Sequence, residues 1–263
     1  MQVFQNKLMG LVKGAVIAIA LIMIIMSCGD ESESNVPSDT PDESDLTDIS
    51  VVASKFYNSS AVSVAVDDDW VTITSKDLPD HKSMYYSQND PLYEGYDEPS
   101  NPDFKKNPGS IGEQNIVAKI PRFPTEASSK TSPGLGPMGV SINSVVFFNQ
   151  QAGPGDDIFD ELNTFDQYEG HPAGDMYHYH TEPVWVTELK GSDAFLGFLL
   201  DGFPVYGPME NGQEITNNDL DDYHGHTGAT ADFPLGIYHY HITEEYPWIN
   251  GDAFYGTPGT VTQ

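Results

Sequence analysis

The chain carries one pattern twice, and both copies close on Tyr-His-Tyr-His. The first runs Asp166-Gln167-Tyr168-Glu169-Gly170-His171, then five residues, then Tyr177-His178-Tyr179-His180. The second runs Asp221-Asp222-Tyr223-His224-Gly225-His226, then eleven residues, then Tyr238-His239-Tyr240-His241. In a strand, side chains at i and i+2 share a face. His178 and His180 therefore project together with Tyr177 and Tyr179 behind them, and His239 and His241 do the same in front of Tyr238 and Tyr240. Seven of the eight histidines lie in these two blocks, and histidine is the commonest protein ligand for transition metals. Metal binding is the first function the pattern suggests.

The repeat extends upstream. Gly139-Val140-Ser141-Ile142-Asn143-Ser144-Val145-Val146-Phe147-Phe148 aligns with Gly197-Phe198-Leu199-Leu200-Asp201-Gly202-Phe203-Pro204-Val205-Tyr206. Each reads as strand, two-residue turn, strand, with Asp201-Gly202 the stronger hairpin signal. Repeat 1 spans about residues 139–183 and repeat 2 about 197–245. Elsewhere Val62, Val64 and Val66 alternate, as do Val71 and Ile73, and Ile116 to Ile120 is a short apolar segment. With 24 glycines and 19 prolines, long helices are broken and short strands with turns are favoured. The sequence predicts an all-β, mostly antiparallel domain, a pseudo-symmetric sandwich or barrel built from an internal duplication. At most one or two short helices are expected, the best candidate being Asp156 to Phe165.

Two imidazoles on one strand face can converge on an ion at about 2.0–2.1 Å. His171 or His226, each just after a glycine that permits a turn, supplies a third ligand. Three neutral imidazoles and an open position suit zinc or copper. Asp166 and Asp221 stand at matching places, where each can orient a ligand histidine by accepting its other N–H. Tyr177, Tyr179, Tyr238 and Tyr240 are the other candidates for the surrounding shell. His224 has no counterpart in the first copy and reads as incidental. The simplest expectation is that imidazoles from the duplicated strands meet at one shared point, although the spacing allows one site or two. The bland alternative is a structural cluster, with the rings hydrogen-bonded to carbonyls or carboxylates in a binding module that holds no metal.

The amino terminus reads as an export signal. Lys7 and Lys13 precede an apolar run from Ala15 to Met26, too short for a bilayer, which takes about 20 residues, but suited to a signal-peptide core. Ile25-Met26-Ser27-Cys28 resembles a bacterial lipobox, which implies residues 1–27 as signal peptide and Cys28 as a lipidated first residue. Cys28 is the only cysteine, so no intrachain disulfide forms. Residues 28–50 are an acidic tether with little apolar content, leaving 51–263 as the folded domain. The expected location is the bacterial envelope, anchored to a membrane through lipid, with surface exposure on the outer membrane suggested by the acidic run. The formal net charge is −29, and from Thr131 onward Lys190 is the one base against twenty acids. Such a surface repels nucleic acid and attracts cations.

Other signals are weaker. Gly134 to Gly139 matches G-x-G-x-x-G but contains Pro137 and leads into a strand, against dinucleotide binding. Asp67-Asp68-Asp69 reads as a solvated turn. Tyr85, Tyr86, Tyr93 and Tyr96 are either a carbohydrate-binding face or ordinary core.

Taken together, Leu78-Pro79-Asp80-His81, the Asn143 hairpin, both Tyr-His-Tyr-His strands, Asp201-Gly202-Phe203-Pro204-Val205-Tyr206-Gly207-Pro208 and Tyr246-Pro247-Trp248-Ile249 resemble the YHYH domain proteins over roughly residues 60–256. The resemblance implies a secreted or envelope-anchored β-rich protein and adds His81 as a candidate metal ligand. It also implies that Tyr168 and Tyr223 stand where relatives carry a pair of cysteines, expected there as a disulfide. The reading is a lipid-anchored β domain with a copper or zinc site at His178, His180, His239 and His241, with His171 and His226 next. Metal-activated water or copper redox chemistry is the reactivity these residues permit. The sequence names no small-molecule or polysaccharide ligand.

Overall fold

The computed structural model describes residues 46–263. The signal segment, Cys28 and nearly all of the acidic tether lie outside the described residues. The repeats build one eight-stranded sheet in the order β12 (Gly225–Gly228), β13 (Ile237–His241), β9 (Pro204–Tyr206), β8 (Phe195–Leu199), β4 (Gly139–Ser141), β5 (Val146–Phe147), β7 (Met176–Tyr179), β6 (Gly170–Ala173). From its centre outward the two halves correspond strand for strand. β4 leads to β5, β7 and β6, and β8 leads to β9, β13 and β12. Within each half the histidine hairpin is antiparallel, while β5–β7 and β9–β13 are parallel. The sheet is thus mixed rather than wholly antiparallel, because each linker carries the chain past the hairpin strand before it returns.

A second, antiparallel sheet has the order β1 (Val62–Val66), β2 (Trp70–Ser75), β3 (Ile116–Pro121), β14 (Thr260–Thr262). Its buried Val71, Ile73, Ile116, Ala118 and Ile120 join Val140, Val146, Phe147, Phe198 and Val205 of the large sheet in one apolar core. Among the described residues no sheet closes into a barrel. A short hairpin, β10 (Met209–Glu210) with β11 (Gln213–Glu214), stands apart.

The halves join along β4 and β8, where Gly139 faces Leu199 and Gly197 faces Ser141. A Cβ on Gly197 would lie 2.8 Å from Ser141 Cα and against the Val140 carbonyl oxygen. Gly197→Ala is therefore expected to force the two central strands apart. It should cost about 1–3 kcal/mol, as overpacking of a filled interior does, read as a lowered midpoint in urea or heat.

The helix expected over 156–165 is real but divided. α1 (Ile158–Glu161) is capped by the Asp157 side chain, which accepts from Phe159 N–H at 3.0 Å, and a 3-10 turn follows over Leu162–Thr164. α2 (Val184–Lys190) was not legible, because β-branched Val184, Val186 and Thr187 mask its helical signal. The domain also begins earlier than residue 51. Ile49 is fully buried in a 3-10 turn over Ile49–Lys55, and Asp48 pairs with Arg122 at 2.6 Å. Tyr85 and Tyr86 are buried and belong to the interior rather than to an open aromatic platform. Asp67 accepts from the Asp69 and Trp70 N–H groups and closes the β1–β2 turn.

Candidate metal centres

Each Tyr-His-Tyr-His strand is positioned by a tight loop that the preceding aspartate builds. Asp166 Oδ1 accepts from the Tyr168 N–H at 2.9 Å, and the Tyr177 hydroxyl donates to the same carboxylate at 2.9 Å. In the second copy Asp221 Oδ1 accepts from the Tyr223 N–H and from the Tyr238 hydroxyl, both at 2.9 Å. Asp166 and Asp221 thus hold loops and tyrosines, and orient no histidine. The left-handed turn residue in each loop is Glu169 (φ 62°) or His224 (φ 75°), not the glycine after it. Gly170 and Gly225 serve a different need, because the rings of Tyr177 and Tyr238 occupy the space where a Cβ would sit.

Behind the strands the inner tyrosines meet the duplicated turn. Asn143 Nδ2 donates to the Tyr179 hydroxyl at 3.1 Å, and the Tyr240 hydroxyl donates to Asp201 at 2.6 Å. Tyr177, Tyr179 and Tyr240 have no exposed surface. The tyrosine face is structural support for the strands.

The imidazole face holds the chemistry. Strand register sets His171 directly opposite His178, and His226 opposite His239. His180 and His241 follow two residues on, and the structure gathers two clusters, one per repeat: His171, His178 and His180, and His226, His239 and His241 with Glu210. The duplicated strands therefore do not share a meeting point. Each hairpin pairs its own histidines across its own two strands, and the four strands β5, β4, β8 and β9 separate the two hairpins along the sheet.

The proton positions follow from the partners. His178 Nδ1–H donates to the Met176 carbonyl at 3.1 Å and His180 Nδ1–H to the Asn149 carbonyl at 2.5 Å. The Thr164 hydroxyl donates to the Glu161 carbonyl at 2.7 Å, so its oxygen accepts from His171 Nδ1–H at 2.6 Å. A carbonyl cannot donate, so a neutral ring in each of these places carries its proton on Nδ1 and a lone pair on Nε2. The three lone pairs converge. His178 Nε2 and His180 Nε2 stand 3.0 Å apart with no proton between them, and His171 Nε2 is buried without a partner. Burial, with a contribution from His180, pushes His171 down to about 3; burial takes His180 to about 4, and burial with contributions from His171 and His180 drives His178 well below its ordinary value. The rings are therefore neutral at pH 7.

Two of the three rings in the second cluster repeat this pattern. His239 Nδ1–H donates to the Ile237 carbonyl at 2.9 Å and His241 Nδ1–H to the Gly207 carbonyl at 2.8 Å. His226 Nε2 and His239 Nε2 are 3.1 Å apart, and His241 Nε2 is buried and unpartnered. Burial lowers His241 to about 3 and lowers His239 as well. His226 is the half-buried member, its side chain 27% accessible.

Each cluster opens on its own cleft. One of about 350 Å³ is lined by Glu161, His171, His178 and His180 with Phe148 and Asp156. The other, of about 380 Å³, is lined by Tyr206, Glu210 and His241 with Asp193, Asn211 and Thr230. Phe148 stacks on His178 with ring centroids 3.9 Å apart, and Tyr206, its counterpart in the repeat, lies edge-on to His239 at 5.4 Å.

Two carboxylates escaped the sequence reading. Glu161 Oε2 lies 3.7 Å from both His171 Nε2 and His180 Nε2, while Glu210 Oε1 lies 3.3 Å from His239 Nε2. No repeat signal marks them, because they occupy unrelated positions in the two linkers.

His81 is in neither cluster. It donates from Nδ1 to its neighbour's carbonyl, that of Lys82, at 3.0 Å, and its Nε2 accepts from the Tyr179 hydroxyl at 3.0 Å, on the tyrosine side of β7. His224 is likewise separate, its Nε2 bonded to the Thr243 hydroxyl at 3.0 Å. The expected cysteine positions do not face each other: Tyr168 packs on His81 and Trp185, and Tyr223 packs on Tyr255 under Lys130.

Fold and site together define a duplicated histidine-strand β domain in which each copy gathers three imidazoles beside a cleft. The chain belongs to the YHYH family: the family model described as YHYH protein matches residues 117–216 and 210–256. That match begins in β3, so His81 lies upstream of it. No curated protein and no solved structure matches the chain.

Proposed function

We propose that this is a lipid-anchored envelope protein that binds two transition-metal ions, copper or zinc, one in each repeat. The observation that carries the reading is the shared tautomer of the buried rings. Where histidines serve only as structural links, an N–H lies between paired nitrogens. In the first cluster all three Nδ1 protons are committed to oxygen, so the Nε2 lone pairs of His178 and His180 face each other across 3.0 Å, and in the second His239 and His241 are held the same way, with His226 Nε2 3.1 Å from His239 Nε2. Two such lone pairs repel unless a cation joins them, and burial works against a shared proton. Nitrogens bound tetrahedrally at about 2.0–2.1 Å stand about 3.3 Å apart, close to the spacing present. One pair of donors in each cluster is thus held near coordination distance, and carbonyls behind His178, His180, His239 and His241 fix those rings, as is usual around metal-ligating histidines.

The anchor rests on the lipobox-like run ending at Cys28 and the acidic tether after it. The negative surface and the base-free clefts suit a cationic cargo and disfavour anionic partners.

Elemental analysis of the full chain, extracted from membranes without chelator or polyhistidine tag, tests the metal reading. Two equivalents of copper or zinc per chain are expected, and a protein that retains neither after loading and desalting would overturn it. Mass spectrometry of the same preparation is expected to find an acylated Cys28 at the mature terminus. A mature chain starting elsewhere would remove the anchor.

A further inference from the structure

We propose that Glu161 and Glu210 are the fourth ligands, so that each ion sits among three imidazoles and one carboxylate and the sites select divalent ions over cuprous copper. This rests on the metal reading above and specifies its donor set. Glu210 meets the geometric requirement directly. One of its oxygens and the ligand nitrogens of His226, His239 and His241 all lie within 4.8 Å of one another. Its oxygens are 3.3 Å from His239 Nε2 and 3.7 Å from His226 Nε2. Glu161 stands further out from its cluster, 3.7 Å from His171 Nε2 and from His180 Nε2, and reaches the ion by a side-chain rotation.

These contacts are not ordinary hydrogen bonds. In both cages the nitrogens with a carbonyl or hydroxyl oxygen at Nδ1 turn a lone pair toward the carboxylate, and a carboxylate brings only acceptors. Acceptors facing one another gain from a cation between them, and in the first cage every imidazole presents one. The buried, unpartnered Nε2 atoms of His171 and His241 identify the point at which that cation sits.

The origin of the two carboxylates strengthens the case. Glu161 comes from α1, thirteen residues after Phe148; Glu210 comes from β10, four residues after Tyr206, the residue aligned with Phe148. The linkers differ in length and secondary structure, yet each delivers one glutamate to the edge of its triad, Glu161 beside His171 and His180 and Glu210 beside His226 and His239. Inheritance of an aligned residue does not account for this, whereas a shared coordination requirement does. Each glutamate also lines the cleft beside its triad, together with one aspartate, Asp156 or Asp193, and neither cleft is lined by lysine or arginine. That gives a cation a path to each site.

Carboxylate oxygen is a hard donor, whereas cuprous copper prefers soft sulfur ligands. An anionic fourth ligand also halves the charge that a divalent ion brings into a buried site. The experiment is a competition titration with zinc and with cupric and cuprous copper on the wild-type full chain, Glu161→Gln and Glu210→Gln, with cupric electron paramagnetic resonance on each. Circular dichroism reports folding, and Glu161→Asp and Glu210→Asp restore the charge on a shorter arm. Each Gln variant is expected to weaken zinc and cupric binding at its own site by about 10–100-fold, to shift that site's cupric spectrum, and to leave cuprous affinity nearly unchanged. The Asp variants should recover part of the loss. Unchanged affinities and spectra in folded Gln variants would overturn the carboxylate assignment and leave the three-imidazole reading intact. A wild-type chain that binds none of these ions would overturn both.

Discussion

Replacing His178 and His180 together by asparagine is expected to halve the metal content of the protein, from two equivalents to one. Asparagine Nδ2 can still donate to the Met176 and Asn149 carbonyls that now accept from the ring Nδ1 atoms, so the hairpin keeps those hydrogen bonds. What disappears is the pair of Nε2 lone pairs, and with them two of the three nitrogens of one cage. The mirror variant, His239→Asn with His241→Asn, should remove the other equivalent, and the fourfold variant should bind no transition metal. The two double variants are expected to act independently, because each cluster draws all of its ligands from its own repeat. Elemental analysis after loading and desalting reads the result. If either double variant retains two equivalents, or loses both, the assignment of one ion to each repeat fails.

The second large effect is acid sensitivity of the metal-free protein. His171 and His241 are pushed down to about 3, and His180 and His224 to about 4, in each case chiefly by burial. An unfolded chain takes up protons on these rings near their ordinary value of 6.5, while the native state refuses them until far lower pH. Between those values the unfolded state binds more protons, so stability rises with pH and is lost as pH falls. The window opens at 6.5 and closes at 3 to 4. Each such histidine removes about 1.4 kcal/mol per pH unit, against a typical margin of about 5–15 kcal/mol. The loss is offset in part by Asp201 and Glu169, which burial pushes up to about 6 and about 7, so that the native state takes up their protons first. The metal-free domain is expected to unfold between about pH 6 and pH 4, whereas the loaded domain resists until protons displace the ions. Urea titrations across this range, with and without zinc, read the difference. Equal stability of the metal-free protein at pH 7.5 and pH 5 would contradict it.

How far the site could be read from the chain varies residue by residue. The pairing of His178 with His180, and of His239 with His241, is a property of strand geometry over three residues, and it holds in the folded protein. The upstream His171 and His226 were identified by pattern, and register then placed each opposite a strand histidine. His81 was misplaced because its connection to the repeat was by resemblance, and nothing local told which side of β7 it would meet. Asp166 and Asp221 stood at matching positions, but their carboxylates were closer to their own loop amides and the tyrosine hydroxyls than to any imidazole. The short α2 went unseen because its β-branched residues look like strand, and burial against the sheet overrides that preference.

What the sequence determined by itself was everything governed by short-range periodicity: the duplicated β architecture, the separation of imidazoles from tyrosines onto opposite faces, and the pairing of histidines two apart on each strand. Tertiary structure alone decided that there are two histidine clusters and not one, since hairpin register unites histidines within a repeat while the central strands hold the repeats apart. It alone also brought Glu161 and Glu210 to those clusters. The reason is that a linker residue's position depends on how the whole chain closes around it, and alternation along a strand carries no information about that.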